Sequence, residues 1–70
     1  RAQEALIQVE VFLDKALRDG MSSVRIIHGK GTGALRRAVR ELLEDHPLAK
    51  SFATEAPERG GDGATVVELL

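Results

Sequence analysis

The chain contains no cysteine, tryptophan or tyrosine, and only two phenylalanines and two prolines. The absence of cysteine excludes a disulfide framework and a thiolate metal site, and it suits a cytoplasmic protein. The scarcity of aromatic rings argues against a platform on which single-stranded bases stack. No apolar run approaches the roughly 20 residues that cross a bilayer, and no signal-peptide pattern is found, so we expect no membrane partner.

Size and composition indicate one small globular domain over residues 1–70. Hydrophobic residues make up 43% and charged residues 30% of the chain, which is typical of a folded protein rather than a disordered one. A chain of 70 residues can bury only a thin core. Because the chain starts on Arg1 rather than methionine, we expect a domain that is truncated at its N-terminus.

The formal net charge is −1, but the charges are unevenly distributed. Residues 21–50 carry six lysines and arginines against three acidic residues, whereas residues 51–70 carry one arginine against four acidic residues. The basic excess surrounds a glycine-rich segment, where a polyanion would encounter it. Charge alone favours the simpler interpretation, a solvated helix face.

Two helices are predicted from apolar residues that recur every three or four positions. The first ends at Gly20, which suits the left-handed position after a helix. The second begins at a cap on Thr32 or Gly33 and ends at His46, because proline pushes the preceding residue out of the helical region. The predicted buried stripes are Ala2, Ala5, Leu6, Val9, Phe12, Leu13, Ala16 and Leu17, then Leu35, Ala38, Val39, Leu42 and Leu43. The predicted outward face of the second helix is Arg36, Arg37, Arg40, Glu41 and Glu44.

Three strands are also predicted. Val24–Ile27 is rich in β-branched residues without alternation, which indicates a largely buried strand. Lys50–Glu55 is a modest strand, and Ala64–Leu70 is the strongest by β-branched content. Glycines and charges at 57–63 predict a loop. Because no strand precedes the first helix, either a first strand is missing or this helix packs across the sheet.

The segment HGKGTG, residues 28–33, joins a predicted strand to a predicted helix. Glycines let the backbone approach a ligand closely, and the first N–H groups of the helix carry partial positive charge. Together with Lys30 and Arg36 or Arg37, they would form a phosphate cradle. Two nucleotide-binding motifs fit less well, because the chain is too small for a dinucleotide fold and Lys30 is not followed by Ser or Thr. The structural alternative is a tight strand-to-helix turn.

His28 is the most reactive side chain of this segment, since it can donate to phosphate, carry a proton or bind a metal. The alternative is a strand-end histidine bonded to a backbone carbonyl. We expect His46 to lie at a helix end, where the dipole favours it. Glu58, Asp62 and Glu68 could hold a cation, but no metal-ligand spacing supports this and solvated acids are the commoner case.

The stretches VRIIHGKGTGALRRAVRELLEDHPLAKSF and GGDGATVVELL resemble the small MutS-related (Smr) domain, and especially the Smr domain at the C-terminus of the second bacterial MutS paralogue. The resemblance covers essentially the whole chain, and HGKGTG is its most specific part. It implies an α/β fold, a two-layer α/β sandwich of order βαβαββ with a mixed four-stranded sheet. The first strand, which carries an L-D-x-[HR] motif with an aspartate linked to activity, is expected to be missing here.

The same resemblance implies a nicking endonuclease domain that binds branched or duplex DNA, or RNA and the ribosome. The parent proteins act in suppression of recombination or in ribosome rescue, and the parent of this chain is expected to be a homodimer. The alternative is a DNA- or RNA-binding module that does not cut. A divalent cation, Mg or Mn, is a candidate cofactor. Catalysis is assigned to His28 and Lys30, and nucleic-acid binding to Gly29, Gly31, Thr32, Gly33, Arg36, Arg37 and Arg40, of which the arginines come from charge alone.

Overall fold

A computed structural model describes residues 2–70 of the chain. Its elements are α1 (Ala2–Arg18), β1 (Ser23–Ile27), α2 (Ala34–Glu44), β2 (Ala49–Thr54) and β3 (Ala64–Leu69). The predicted loop at 57–63 is folded into two short 3-10 turns. No helix within residues 2–70 is long and apolar enough to span a bilayer.

The strands form one sheet in the order β1-β3-β2, and both neighbouring pairs are antiparallel. Strands β1 and β2 therefore run parallel to each other with β3 between them, and α2 connects them across one face. Helix α1 packs against both α2 and β1, so the two helices cover the same face of the sheet. This confirms the two-layer α/β fold. Residues 2–70 contain three strands of the four-stranded sheet that the resemblance implies.

The core lies between the helices and the sheet. Its fully buried large side chains are Leu13 of α1, Val39 and Leu43 of α2, and Val67 of the central strand β3. Helix α1 ends as predicted: Gly20 has a φ of 80°. The N–H groups of Gly20 and Met21 donate to carbonyl oxygens in the last turn, at 3.0 Å each, which satisfies groups that a helix end leaves unpaired.

The prediction that β1 is largely buried is wrong. Its side chains alternate: Val24 and Ile26 are buried under the helices, whereas Arg25 and Ile27 point to the face that no helix covers. Ile27 is 75% exposed. A two-layer fold leaves one face of the sheet bare, so the alternation is expected from the architecture even though the residue types hide it.

The prediction that Phe12 belongs to the core is also wrong, because this ring is 44% exposed. It lies at the rim, where it lines a groove of about 350 Å³ beside β1 together with Ile27. The rest of the stripe is confirmed, with Leu13 and Ala16 buried and Leu6 packed against them. The side chain of Ala2 lies outside the described part of the chain.

A histidine connects the two helices. His46, just past the end of α2, has its Nε2 2.9 Å from a carboxylate oxygen of Glu10 on α1. The backbone N–H of Leu48 donates to His46 Nδ1 at 3.1 Å. Since Nδ1 accepts, the hydrogen of the neutral ring is on Nε2 and is donated to Glu10. The imidazole, only 8% exposed, is fixed between α1 and the turn that leads into β2.

Candidate functional site

The segment 28–33, called here the glycine loop, is anchored to the start of β3. The backbone N–H groups of His28 and Gly29 both donate to the carbonyl oxygen of Gly63, at 3.1 and 2.9 Å. Gly63 is buried, and a Cβ added to it would meet Lys30 and Gly29 at 3.5–3.6 Å. The glycine loop therefore lies directly against the turn that precedes the central strand.

The three glycines of the loop are required by its backbone conformation. Gly29, Gly31 and Gly33 have φ values of 77°, 43° and 86°, a region that L-residues with a Cβ rarely adopt. Gly33 is the N-cap residue of α2, and Thr32 Oγ1 accepts the N–H of Ala34 at 3.3 Å. The number of glycines is thus explained by the turn itself, so the functional argument must rest on the side chains and the free N–H groups around it.

His28 is held at both ring nitrogens. Its Nδ1 lies 2.9 Å from the carbonyl oxygen of Gly29, and its Nε2 lies 2.9 Å from Thr65 Oγ1. A carbonyl oxygen can only accept, so Nδ1 carries a hydrogen, and in the neutral ring Thr65 donates to Nε2. Thr65 is completely buried. The expected strand-end histidine on a backbone carbonyl is therefore present, with a second anchor that the sequence did not reveal.

Lys30 is the exposed cation of the glycine loop. Its ammonium group makes no ion pair with any carboxylate within residues 2–70, and the side chain lines two clefts at the loop. One cleft, about 410 Å³, contains His28 and the first residues of α2. The other, about 280 Å³, contains Arg36 and Asp62. Lys30 is placed to reach an anion in either cleft.

The arginines of α2 divide into two groups. Arg37 is exposed beside Gly33, and the prediction that it faces outward is confirmed. Arg36 and Arg40 are half-buried instead, so the predicted outward orientation is only partly correct for them. Both guanidinium groups turn towards β2, because Thr54 Oγ1 accepts from Arg36 at 3.1 Å and from Arg40 at 2.7 Å.

Arg40 is also close to an aromatic ring, with its guanidinium carbon 5.5 Å from the centroid of Phe52. Burial lowers the pKa of Arg40 from its ordinary value, the neighbouring charge of Arg36 lowers it further, and the charge of Asp62 acts in the opposite direction. Arginine still stays protonated at any pH of practical interest. The result is a persistent double positive charge beside the glycine loop.

Metal ligation is not supported by the described residues. Among residues 2–70 no three histidine, aspartate or glutamate side chains are grouped so that they could hold a metal ion. Asp62 lies at the mouth of the Arg36 cleft, while Glu55 is bonded to the N–H of Ala56 and lies 3.6 Å from Arg25. The residues therefore do not fit a metal site formed by the protein alone.

Sequence reasoning missed Thr54 and Thr65. These two residues are directly opposite each other in the register of β2 and β3, beneath the glycine loop. Thr65 fixes His28 and Thr54 fixes the two arginines, so a polar pair on β2 and β3 holds side chains on both sides of it. A threonine in each strand was the available signal, but its meaning depends on a register that the sequence does not display.

Comparisons with known proteins place the chain in a family. The family model described as "Smr domain" matches residues 1–70. The chain is 55% identical over 69 residues to a protein named Endonuclease MutS2 from Halalkalibacterium halodurans, and 51% identical over 67 residues to one of that name from Thermomicrobium roseum. These alignments cover 99% and 96% of the chain but only 9% and 8% of the relatives, so the chain spans less than a tenth of their length.

A solved structure is similar over the same range. The Smr domain of Thermus thermophilus MutS2 superposes with a TM-score of 0.98 at 47% sequence identity, and the match covers all of this chain and 88% of the other. The family model, the relatives and the solved structure therefore lead to one conclusion. The chain belongs to the Smr domain family.

Proposed function

We propose that this domain binds the phosphate backbone of a nucleic acid at the glycine loop and cleaves one strand of it. The observation that carries the proposal is Lys30, an exposed ammonium group without an ion pair within residues 2–70, on a loop that leads into the N-terminus of α2. First-turn N–H groups and a lysine favour negative charge at the same place. Arg37 adds a further exposed cation beside the loop.

In the proposed reaction water attacks a backbone phosphorus and one P–O bond breaks. Negative charge grows on the phosphate oxygens as this happens, and Lys30 with the N–H groups that open α2 would stabilise it. Gly29, Gly31, Thr32 and Gly33 supply the backbone that approaches the phosphate. The departing oxygen receives a proton from Lys30, an exposed donor of the loop, and the proton that the attacking water loses passes through solvent and restores the ammonium group. No step is assigned to a divalent cation.

The geometry of His28 favours an orienting role over proton transfer. Both ring nitrogens are bonded to protein groups, and one of those groups is buried. A base must reach the proton it removes within about 3 Å, directly or through one water. In the described conformation His28 instead fixes the loop from which Lys30 projects.

The two bonds of the His28 ring also favour a second candidate function, a domain that binds nucleic acid without cutting it. If His28 keeps both bonds when the ligand is present, the loop offers cations and N–H groups but no base. Binding alone would then be the activity of this domain. The formation of a nicked product, as opposed to a shift in mobility only, separates the two functions.

Further proposals rest on the relatives, which are named endonucleases and are much longer than this chain. We propose that the whole protein acts on DNA, or on RNA and the ribosome, as a homodimer in the cytoplasm. The first strand expected from the resemblance would pair with the outer edge of β1, over the groove that Phe12 and Ile27 line. Mg or Mn would need ligands from that strand or from the nucleic acid.

The test is a nicking assay on supercoiled plasmid DNA with the full-length protein, with and without EDTA. We expect Lys30→Ala to lower the rate by about 100-fold, as the loss of a group that stabilises transition-state charge does. His28→Ala should lower it less if His28 only orients the loop. Lys15→Ala is the matched control, because Lys15 is an exposed lysine on α1 that pairs with Asp19. Unchanged rates for both Lys30→Ala and His28→Ala would refute the nuclease proposal.

A further inference from the structure

Two arginines one turn apart on α2 converge on a single hydroxyl. Arg36 and Arg40 both donate through Nη2 to Thr54 Oγ1, at 3.1 and 2.7 Å. A hydroxyl oxygen has two acceptor sites, so this residue can satisfy one N–H of each guanidinium and no more. The remaining N–H groups of both side chains need other partners.

The charge of this pair is not neutralised by the described residues. Within residues 2–70 neither guanidinium lies within 4.0 Å of a carboxylate oxygen. The Nε atoms of Arg36 and Arg40 are shielded from solvent and have no hydrogen-bond partner. Buried donors without partners are rare in folded proteins, and each calls for a bound water, a bound ion or local strain. Two like charges are held close together at a cost in stability that an anion would remove.

The shape of the surface shows where such an anion would lie. Arg36 lines the cleft of about 280 Å³ with Lys30, and Lys30 also lines the cleft that contains His28. The two clefts therefore share the same lysine. A chain with a phosphate at every unit could place one phosphate in each.

We propose that Arg36 and Arg40, held in place by Thr54, form a second phosphate subsite on the β2 side of the glycine loop. Guanidinium groups bind phosphate through two parallel N–H bonds, so a pair of them suits one tetrahedral anion. The ligand is a phosphate group, and its source is the backbone of the nucleic acid. The assignment to nucleic acid rests on the proposed function, whereas the subsite itself does not.

Asp62 gives the proposal a second, opposite test. Its carboxylate shares the cleft with Arg36 and interacts with the charge of Arg40. It therefore competes electrostatically with an incoming phosphate. Removing the carboxylate should strengthen anion binding, whereas removing the guanidinium groups should weaken it.

The experiment uses the ¹⁵N-labelled chain, titrated at constant ionic strength with inorganic phosphate and, separately, with a short DNA duplex. We expect the Nε–Hε signals of Arg36 and Arg40 to shift with both ligands. The double variant Arg36→Gln, Arg40→Gln should bind the duplex about tenfold more weakly, with a salt slope smaller by about 1. Asp62→Asn should bind it more tightly. Arg18→Gln, which removes a cation paired with Asp14 far from the loop, is the control and should behave as the original chain.

Several outcomes would overturn the inference. Signals of Arg36 and Arg40 that move with neither ligand would remove the subsite. Signals that move with phosphate alone would remove its assignment to nucleic acid. Because Asp62→Asn leaves both arginines and the exposed loop intact, an unchanged affinity in that variant would also contradict the proposal, even if the double variant failed to fold. None of these readouts depends on cleavage, so a failure of the nuclease proposal would be seen separately.

Discussion

At the scale of single residues, the ring of His28 is held by the adjacent Gly29 carbonyl and by a threonine 37 positions away in the sequence. The neutral ring must carry its hydrogen on Nδ1, because the Gly29 carbonyl accepts there, and Thr65 then donates to Nε2. A lone histidine in a sequence can be read in several ways. Here the Gly29 carbonyl and the Thr65 hydroxyl together fix one tautomer and one orientation of the ring.

Thr65→Val should release this orientation. The valine has almost the same shape but no hydroxyl, so Nε2 of His28 loses its partner and the free energy of unfolding should fall by about 1 kcal/mol. Two-bond ¹H–¹⁵N spectra of the imidazole should show the Nδ1–H tautomer in both chains, because the Gly29 carbonyl still accepts there, and a shifted Nε2 signal in the variant. Thr65→Ser keeps the hydroxyl and should keep the original Nε2 signal. A mixture already present in the original chain would contradict the assignment.

At the scale of elements, the sequence predicted each helix and strand to within one or two residues, because apolar spacing and glycine positions are local signals. The glycine loop was found in the same way. The sequence could not show which face of β1 the helices cover, since both faces of the strand carry an isoleucine. The roles of Thr54, Thr65 and the inward turn of Arg36 were hidden too, because each depends on a partner from another element.

Neighbouring isoleucines on β1 test the alternation directly. Ile26 is 7% exposed beneath the helices, and Ile27 is 75% exposed on the bare face. Ile26→Ala should lower the free energy of unfolding by about 2–4 kcal/mol, because it leaves a cavity in the core. Ile27→Ala should change it by less than about 0.5 kcal/mol, as surface substitutions do. Urea unfolding of the two variants gives the comparison, and equal losses would refute the described orientation of the strand.

At the scale of the whole molecule, a thin core makes contacts between elements matter more than in a larger protein. The sheet order β1-β3-β2 places the last strand in the centre, so every strand depends on it. The family resemblance predicted this two-layer fold, whereas local patterns could not give the order. Outside the core, the bond between His46 and Glu10 is a polar link between α1 and the turn after α2.

His46→Ala should therefore destabilise the fold more than the loss of a surface ion pair. The substitution removes the partner of the Leu48 N–H and the bond to Glu10, and we expect the free energy of unfolding to fall by about 1–3 kcal/mol. Lys15→Ala removes the pair with Asp19, in which both side chains are more than half exposed, and should cost about 0–1 kcal/mol. Thermal or urea unfolding of both variants measures the difference. A larger loss of unfolding free energy in Lys15→Ala than in His46→Ala would contradict the prediction.

The double acceptor at Gly63 has a consequence for the order of events during synthesis. The segment 28–33 leaves the ribosome some thirty residues before Gly63, whose carbonyl oxygen accepts its two N–H groups. A nascent chain that has emerged only as far as Thr54 contains the whole HGKGTG segment but lacks the Gly63 carbonyl to which the segment is bonded. The glycine loop therefore cannot reach its described conformation until the chain has been synthesised at least as far as Gly63.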